Sequence, residues 1–160
     1  MIRKITLATV VCVGAVANAF ALDGVSVEAG GGTDGAKLAR LGLQWNGPRD
    51  WVYWDLSFGG WTGGHGHVYD LAVTPLARLG HARYIEGGVG GHLLSDLDVG
   101  TGRDFSTRFQ FGDIIGAGLR IGHDERLELG VRIQHLSNGG LRNPNPGINF
   151  VLLRFVYRLE

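Results

Sequence analysis

The sequence has almost no cysteine, because its 160 residues include only Cys12. That residue lies in an N-terminal segment that we expect to be removed, so the mature chain has no thiol. Disulfide bonds, thiolate-bound metals and cysteine nucleophiles are therefore excluded. The fold must depend on backbone hydrogen bonds and packing.

The sequence also lacks an excess of charge of either sign, with 15 Lys and Arg against 15 Asp and Glu. A strongly basic surface for nucleic acid is therefore not expected. Long apolar runs are missing as well. The run from Ile5 to Val16 has roughly a dozen residues, whereas a transmembrane helix needs about 20.

The first 21 residues are typical of a cleaved export signal. Arg3 and Lys4 form a basic start, an apolar run follows, and a small-residue cleavage site ends at Ala21. We therefore predict a signal peptide at 1–21 and one β-barrel domain at 22–160.

Glycine is abundant, with 28 residues that follow no three-residue period. Within alternating segments, glycines favour curved strands and close contacts. Apolar residues recur at every second position in eight segments, near 24–32, 37–45, 51–61, 67–79, 82–93, 112–122, 127–137 and 149–159. An even number of strands about ten residues long predicts an all-β, eight-stranded antiparallel transmembrane barrel of the outer membrane.

The two faces of these strands differ in polarity. One face carries Glu28, Arg40, Gln44, Asp55, Asp70, Glu86, Arg120, Glu128, Arg132 and Arg154. We expect these residues to share the lumen, with Arg120, Arg132 and Arg154 pairing with Glu86, Glu128 and Asp70. The apolar face then meets lipid, and Trp45, Trp51, Trp54, Trp61 and Tyr69 are candidates for the interfacial aromatics. A secreted β-sandwich or lipocalin-like barrel is the soluble alternative.

A polar trio interrupts the apolar face near the end of the seventh strand. His135 and Ser137 are two residues apart and share the face of Val131 and Ile133, and Asn149 has the equivalent position on the next strand. Unpaired polar groups in lipid cost several kcal/mol, which favours a functional explanation. A hydroxyl, an imidazole and an amide together are typical of acyl transfer.

The position of the trio along the barrel indicates its substrate. If the N-terminus starts in the periplasm, the seventh strand ends at the extracellular side. This places His135 and Ser137 at the outer leaflet, which holds lipopolysaccharide. A lipid ester in that leaflet is the expected substrate.

The run from His135 to Gly147, HLSNGGLRNPNPG, resembles the C-terminal signature of the PagL family of lipid A 3-O-deacylases. Phe111–Leu119, Tyr84–Gly90 and Leu41–Trp45 are similar to the sixth, fifth and second strands of that family. The resemblance implies an outer-membrane barrel of a Gram-negative bacterium. It also implies hydrolysis of the ester that holds the 3-hydroxyacyl chain at the 3-position of lipid A.

The resemblance also implies residue roles. His135 matches the base and Ser137 the nucleophile, and a set of supporting positions surrounds them. Asn138, Gly140 and Asn145 match motif residues around the oxyanion site, and Phe111 and Asp113 match further family positions. The family pattern has Glu as the third triad member, where this chain has Asn149. An amide can orient the imidazole but cannot compensate an imidazolium charge.

No metal or organic cofactor is expected for this chemistry. His65 and His67 have a spacing that can bind metal, but two ligands are fewer than the usual three or four. The expected partners are lipid A or lipopolysaccharide and the membrane lipids, with no nucleic acid, and a homodimer stays open. A non-catalytic structural or interaction barrel is the main alternative, followed by an acyltransferase.

Overall fold

The computed structural model describes residues 22–63, 66–98 and 104–159, which form eight antiparallel strands closed into a barrel. The strands are β1 (Leu22–Gly32), β2 (Lys37–Asn46), β3 (Val52–Gly63), β4 (Gly66–Gly80), β5 (Arg83–Leu94), β6 (Phe109–Ile121), β7 (Leu127–Ser137) and β8 (Ile148–Arg158). The predicted fold class is confirmed. Within these residues no helix is long and apolar enough to cross a membrane. The predicted signal peptide at 1–21 lies outside the described residues.

The two ends of the barrel have different connections. The loop end, where β7 finishes, carries the connections 33–36, 95–108 and 138–147. The turn end carries the connections 47–51, 81–82 and 122–126, each of five residues or fewer, whereas 95–108 and 138–147 at the loop end are much longer. Long loops at one end and short turns at the other are typical of outer-membrane barrels, whose long loops are extracellular.

The outer surface of the barrel is apolar. Leu41, Ile115 and Leu153 are each about two thirds exposed, at 66%, 66% and 65%. Large apolar side chains recur at alternate positions around the barrel, and so continuous an apolar surface is untypical of a soluble monomer. The described strands therefore expose the apolar face that the two-residue alternation predicts.

The lumen is charged from its middle to the turn end. Buried or half-buried polar side chains of this layer are Glu28, Arg40, Tyr53, Asp55, Arg78, Tyr84, Glu86, Glu128, Arg132 and Arg154. Arg132 Nε lies 2.6 Å from Glu86, and its Nη1 lies 2.6 Å from Glu28 and 3.0 Å from Asp55. We name this layer the lumenal network; in it Arg132 of β7 pairs across the lumen with carboxylates of β1, β3 and β5.

The predicted ion pairs are partly wrong. Arg132 does pair with Glu86 and Arg120 with Glu128, but Asp70 contacts His92, whose Nδ1 lies 2.8 Å from the carboxylate. The guanidinium of Arg154 instead contacts Glu28 and Asp55. The alternation fixed the face of each residue, but the partners depend on the shear of the closed barrel.

An apolar cluster, not anticipated from the sequence, fills the lumen at the loop end. Its buried members are Ala36, Leu38, Trp61, Val68, Leu94, Phe105, Leu136, Ile148, Phe150 and Leu152. Trp61 was expected at a membrane interface and is instead 1% exposed, with its ring 5.3 Å from that of Phe150. Its position in β3 has the parity of Asp55, so the alternation directs it inward. The cluster gives the loops a packed base, and Phe105 ties the β5–β6 connection to it.

Candidate active site

The polar residues of the outer surface meet in one row across three strands at the loop end. The register pairs Asp113 of β6 with His135 of β7, and His135 with Asn149 of β8. Two residues nearer the loop end on the same two strands, Phe111 pairs with Ser137. Because residues directly opposite each other share a face, all five point away from the lumen. We name Asp113, His135 and Asn149 the outward row.

His135 is oriented by a hydrogen bond to Asn149. Its Nδ1 lies 2.7 Å from Asn149 Oδ1, and the imidazole is half-buried. An amide oxygen is an acceptor, so Nδ1 carries the proton and Nε2 keeps its lone pair. The ring is therefore in the tautomer that a general base requires.

Gly147 supports the same ring from the β7–β8 connection. Its φ of 61° is in the left-handed region, and an added Cβ would lie 2.8 Å from His135 Cε1 and 3.4 Å from Nε2. Glycine therefore satisfies both the backbone conformation and the space beside the ring. The sequence motif contains Gly147, but its spacing does not reveal this contact.

Ser137 is half-buried at the end of β7 and faces outward like His135. The backbone N–H of Gly139 lies 3.5 Å from Ser137 Oγ. Gly139 has a φ of 64°, in the left-handed region. This turn directs a backbone donor toward the hydroxyl, an arrangement that can stabilise an oxyanion formed beside it.

The other predicted oxyanion residues shape the loop. Asn138 is fully buried, and its Nδ2 donates to Arg142 O at 2.6 Å and to Ser106 Oγ at 2.9 Å. Its Oδ1 accepts the Gly140 N–H at 2.9 Å, and its own N–H donates to Asn145 Oδ1 at 2.9 Å. Sequence reasoning did not identify Ser106, which lies on a different connection. These bonds fix the course of the chain just beyond Ser137.

Phe111 and Asp113 border the site on β6. The Phe111 ring packs edge-to-face on Phe109, with centroids 5.1 Å apart. An added Cβ on Gly139 would lie 3.1 Å from the Phe111 ring, so this ring packs under the turn after Ser137. Asp113 is exposed and lies directly across from His135.

Possible metal ligands are dispersed in the part of the chain that the structure describes. There, no three His, Cys, Asp or Glu side chains are close enough to hold an ion. His65 lies outside the described residues, so its predicted pairing with His67 stays untested.

Sequence comparisons relate the chain to known enzymes. A family model described as lipid A 3-O-deacylase (PagL) matches residues 37–158. The lipid A deacylase PagL of Pseudomonas aeruginosa is 33% identical over 149 residues, covering 83% of this chain and 84% of that protein. The lipid A deacylase PagL of Bordetella bronchiseptica is 37% identical over 95 residues, or 58% of this chain, and the match spans about half, 52%, of that relative.

The fold has a solved counterpart. The crystal structure of the outer membrane enzyme PagL superposes with a TM-score of 0.74 at 30% sequence identity. The superposition covers 84% of this chain and 98% of that chain. Fold similarity at this level extends over almost all of the described barrel.

Proposed function

The chain belongs to the PagL family of lipid A 3-O-deacylases, and from this premise we propose that it hydrolyses the 3-O-linked acyl ester of lipid A with Ser137 as nucleophile. The observation that carries the proposal is the outward His135 ring, bonded at Nδ1 to Asn149 and sharing its face with Ser137. Its location is the outer membrane of a Gram-negative bacterium.

The reaction begins with Ser137 Oγ attacking the ester carbonyl while His135 Nε2 takes the hydroxyl proton. The tetrahedral intermediate collapses when His135 returns this proton to the leaving sugar oxygen, which departs as a hydroxyl and leaves Ser137 acylated. Water, activated by the same nitrogen, then attacks the acyl-enzyme. This second step releases a free 3-hydroxy acid and regenerates the Ser137 hydroxyl.

The developing oxyanion needs a donor beside Ser137. The Gly139 N–H is suited to this role because it already lies 3.5 Å from Oγ. Asn138, Gly140 and Asn145 support the site by holding the loop, since their polar groups bond to one another. Phe111 supports the turn through its contact with Gly139.

Asn149 cannot neutralise the imidazolium that forms when His135 accepts a proton. Asp113 lies on the opposite side of His135 in the same row and is the nearest acid by strand register. We propose that its carboxylate stabilises the imidazolium charge through space. In this proposal Asn149 orients the His135 ring, and Asp113 compensates the charge of the imidazolium.

The substrate reaches this site from the surrounding lipid. His135, Ser137 and Asn149 lie on the apolar outer surface near the loop end, beside exposed Ile133 and Val151. With long loops outside, that end lies at the outer leaflet, where lipid A resides. Acyl chains can then stay in hydrocarbon while the ester meets Ser137.

Mass spectrometry of lipid A from cells producing either the wild type or Ser137→Ala tests the proposal. We expect the wild type to remove one 3-hydroxyacyl chain and Ser137→Ala to leave lipid A intact. Ser95→Ala is the matched control, because Ser95 lies on the β5–β6 connection and its Oγ accepts the Tyr69 N–H. Gel mobility before and after heating checks that each barrel is folded.

Other outcomes identify the alternatives. Identical lipid A spectra from wild type, Ser137→Ala and empty cells would favour a non-catalytic barrel. Transfer of the acyl chain to another lipid, with no free 3-hydroxy acid, would indicate an acyltransferase. The hydrolase requires free acid in amounts equal to the deacylated lipid A.

Export is a separate proposal. The basic and apolar pattern of residues 1–21 supports cleavage between Ala21 and Leu22. The intact mass of the protein from outer membranes would then correspond to residues 22–160. A mass that includes the first 21 residues would contradict cleavage.

A further inference from the structure

Thr33 directly follows β1, in the β1–β2 connection, and contacts the residue that orients His135. Its Oγ1 accepts the Asn149 N–H at 3.1 Å and donates to the Asn149 carbonyl at 3.3 Å. The two residues are 116 positions apart in sequence. A single hydroxyl therefore bonds both polar groups of the Asn149 backbone.

The strand register explains why this hydroxyl is needed. β1 and β8 pair up to Gly32 and Phe150, and the next pair would join Thr33 to Asn149. However, β1 turns away at this point, where the Gly32 N–H donates to Ala36 O at 2.7 Å. The Thr33 side chain thus supplies the two hydrogen bonds that a backbone partner in a continued strand would supply.

Glycine allows the close approach that this contact requires. An added Cβ on Gly32 would lie 2.6 Å from Asn149 O and 2.5 Å from the Phe150 ring. Ala36 closes the turn and is buried in the apolar cluster of the lumen. The β1–β2 turn is therefore held in the barrel while Thr33 reaches the first residues of β8.

We propose that Thr33 is a positioning residue that fixes Asn149, and through it the tautomer and orientation of the His135 ring. The inference rests on the proposed function for its effect on rate. Thr33 precedes residues 37–158, which the family model matches, so that match assigns it no role. In this way the β1–β2 connection contributes to a site whose other side chains come from the last three strands and the loop after β7.

Removing the hydroxyl tests the inference. The assay uses the full-length mature protein and purified lipid A in micelles. Thr33→Val should lower kcat about fivefold, which is the order of one net hydrogen bond. The KM should stay unchanged. Thr33→Ser restores a hydroxyl and should recover most of the rate. Thr62→Val is the matched control, because Thr62 is exposed near the same end and pairs with β2 and β4.

A double substitution separates positioning from general damage to the barrel. If Thr33 acts through Asn149, Thr33→Val should cost nothing further in an Asn149→Ala background. A loss of the same size in both backgrounds would overturn the proposal. It would show that the hydroxyl acts on another part of the protein.

The ¹⁵N spectrum of histidine-labelled protein in micelles gives a readout independent of activity. We expect the wild-type His135 signal, assigned by its absence in His135→Gln, to report the Nδ1–H tautomer. Thr33→Val should increase the Nε2–H tautomer, and Thr33→Ser should not. An unchanged spectrum and rate in Thr33→Val would overturn the inference. An active Ser137→Ala with the expected spectra would refute the serine mechanism alone.

Discussion

Polar side chains collect in two regions of this barrel, and their surroundings are opposite. In the lumenal network, Arg132 alone contacts Glu28, Asp55 and Glu86, and all four are at most 5% exposed. In the outward row, the side chain of His135 is hydrogen-bonded to Asn149, and the row borders exposed apolar residues. Among the described residues, Arg132 therefore has several charged partners, whereas the His135 side chain has a single neutral one.

The difference separates stability from function. A buried charge with several partners contributes to one defined packing, and breaking the group leaves uncompensated charge. A partly satisfied polar group on a lipid-facing surface instead costs free energy. The lone pair of His135 Nε2 is the group that a reaction can use as a base. Four substitutions test this distinction, beginning with the largest expected effect.

His135→Gln should lower the deacylation rate by about 10³-fold and leave barrel stability unchanged, because it removes only the general base. The rate of acid release from lipid A measures the first effect, and denaturant unfolding measures the second. His81→Gln is the control, since its side chain is 78% exposed at the turn end. Full activity in His135→Gln would remove the base from the mechanism.

Arg132→Met should have the converse effect. It leaves Glu28, Asp55 and Glu86 with fewer partners, and we expect the free energy of unfolding to fall by about 3–5 kcal/mol. The rate per folded molecule should stay within about twofold of the wild type, because removing a charge in the lumen changes no group of the outward row. Arg49→Met, at an exposed turn position, is the control. If Arg132→Met lost activity without losing stability, the two regions would be coupled.

Gly147→Ala should reduce the rate by about 10²-fold, since the new methyl group displaces the His135 ring and misplaced catalytic groups are costly. Gly122→Ala is the control for backbone strain, because Gly122 also has a positive φ, of 93°, but lies at the turn end. Kinetics on lipid A compare the two variants. Equal losses would attribute the effect to backbone strain instead of the ring.

Asn149→Ala should lower the rate about tenfold, the upper range of one net hydrogen bond, whereas Asn149→Glu should preserve or raise it. A carboxylate keeps the acceptor for Nδ1–H and also compensates the imidazolium. Initial rates of the three proteins on lipid A measure the effect. Equal rates for Asn, Glu and Ala at this position would exclude it from the mechanism.

Several features of the site were predictable from the sequence because they are local. Apolar residues at every second position predicted all eight strands, and the same parity placed His135, Ser137 and Asn149 outward. The lumenal partners of Arg154 and the burial of Trp61 were predicted wrongly. The partners depend on register between strands distant in sequence, whereas Trp61 was assigned by residue type although its parity directed it inward.

The sequence by itself determined which face of the barrel each side chain occupies, because successive residues of a strand alternate with a period of two. Only the tertiary structure decided which residues meet. Closure pairs β1 with β8, and this pairing brings Thr33 to the Asn149 backbone and Arg154 to Glu28. No local pattern encodes those contacts, since they depend on the shear with which the first and last strands join.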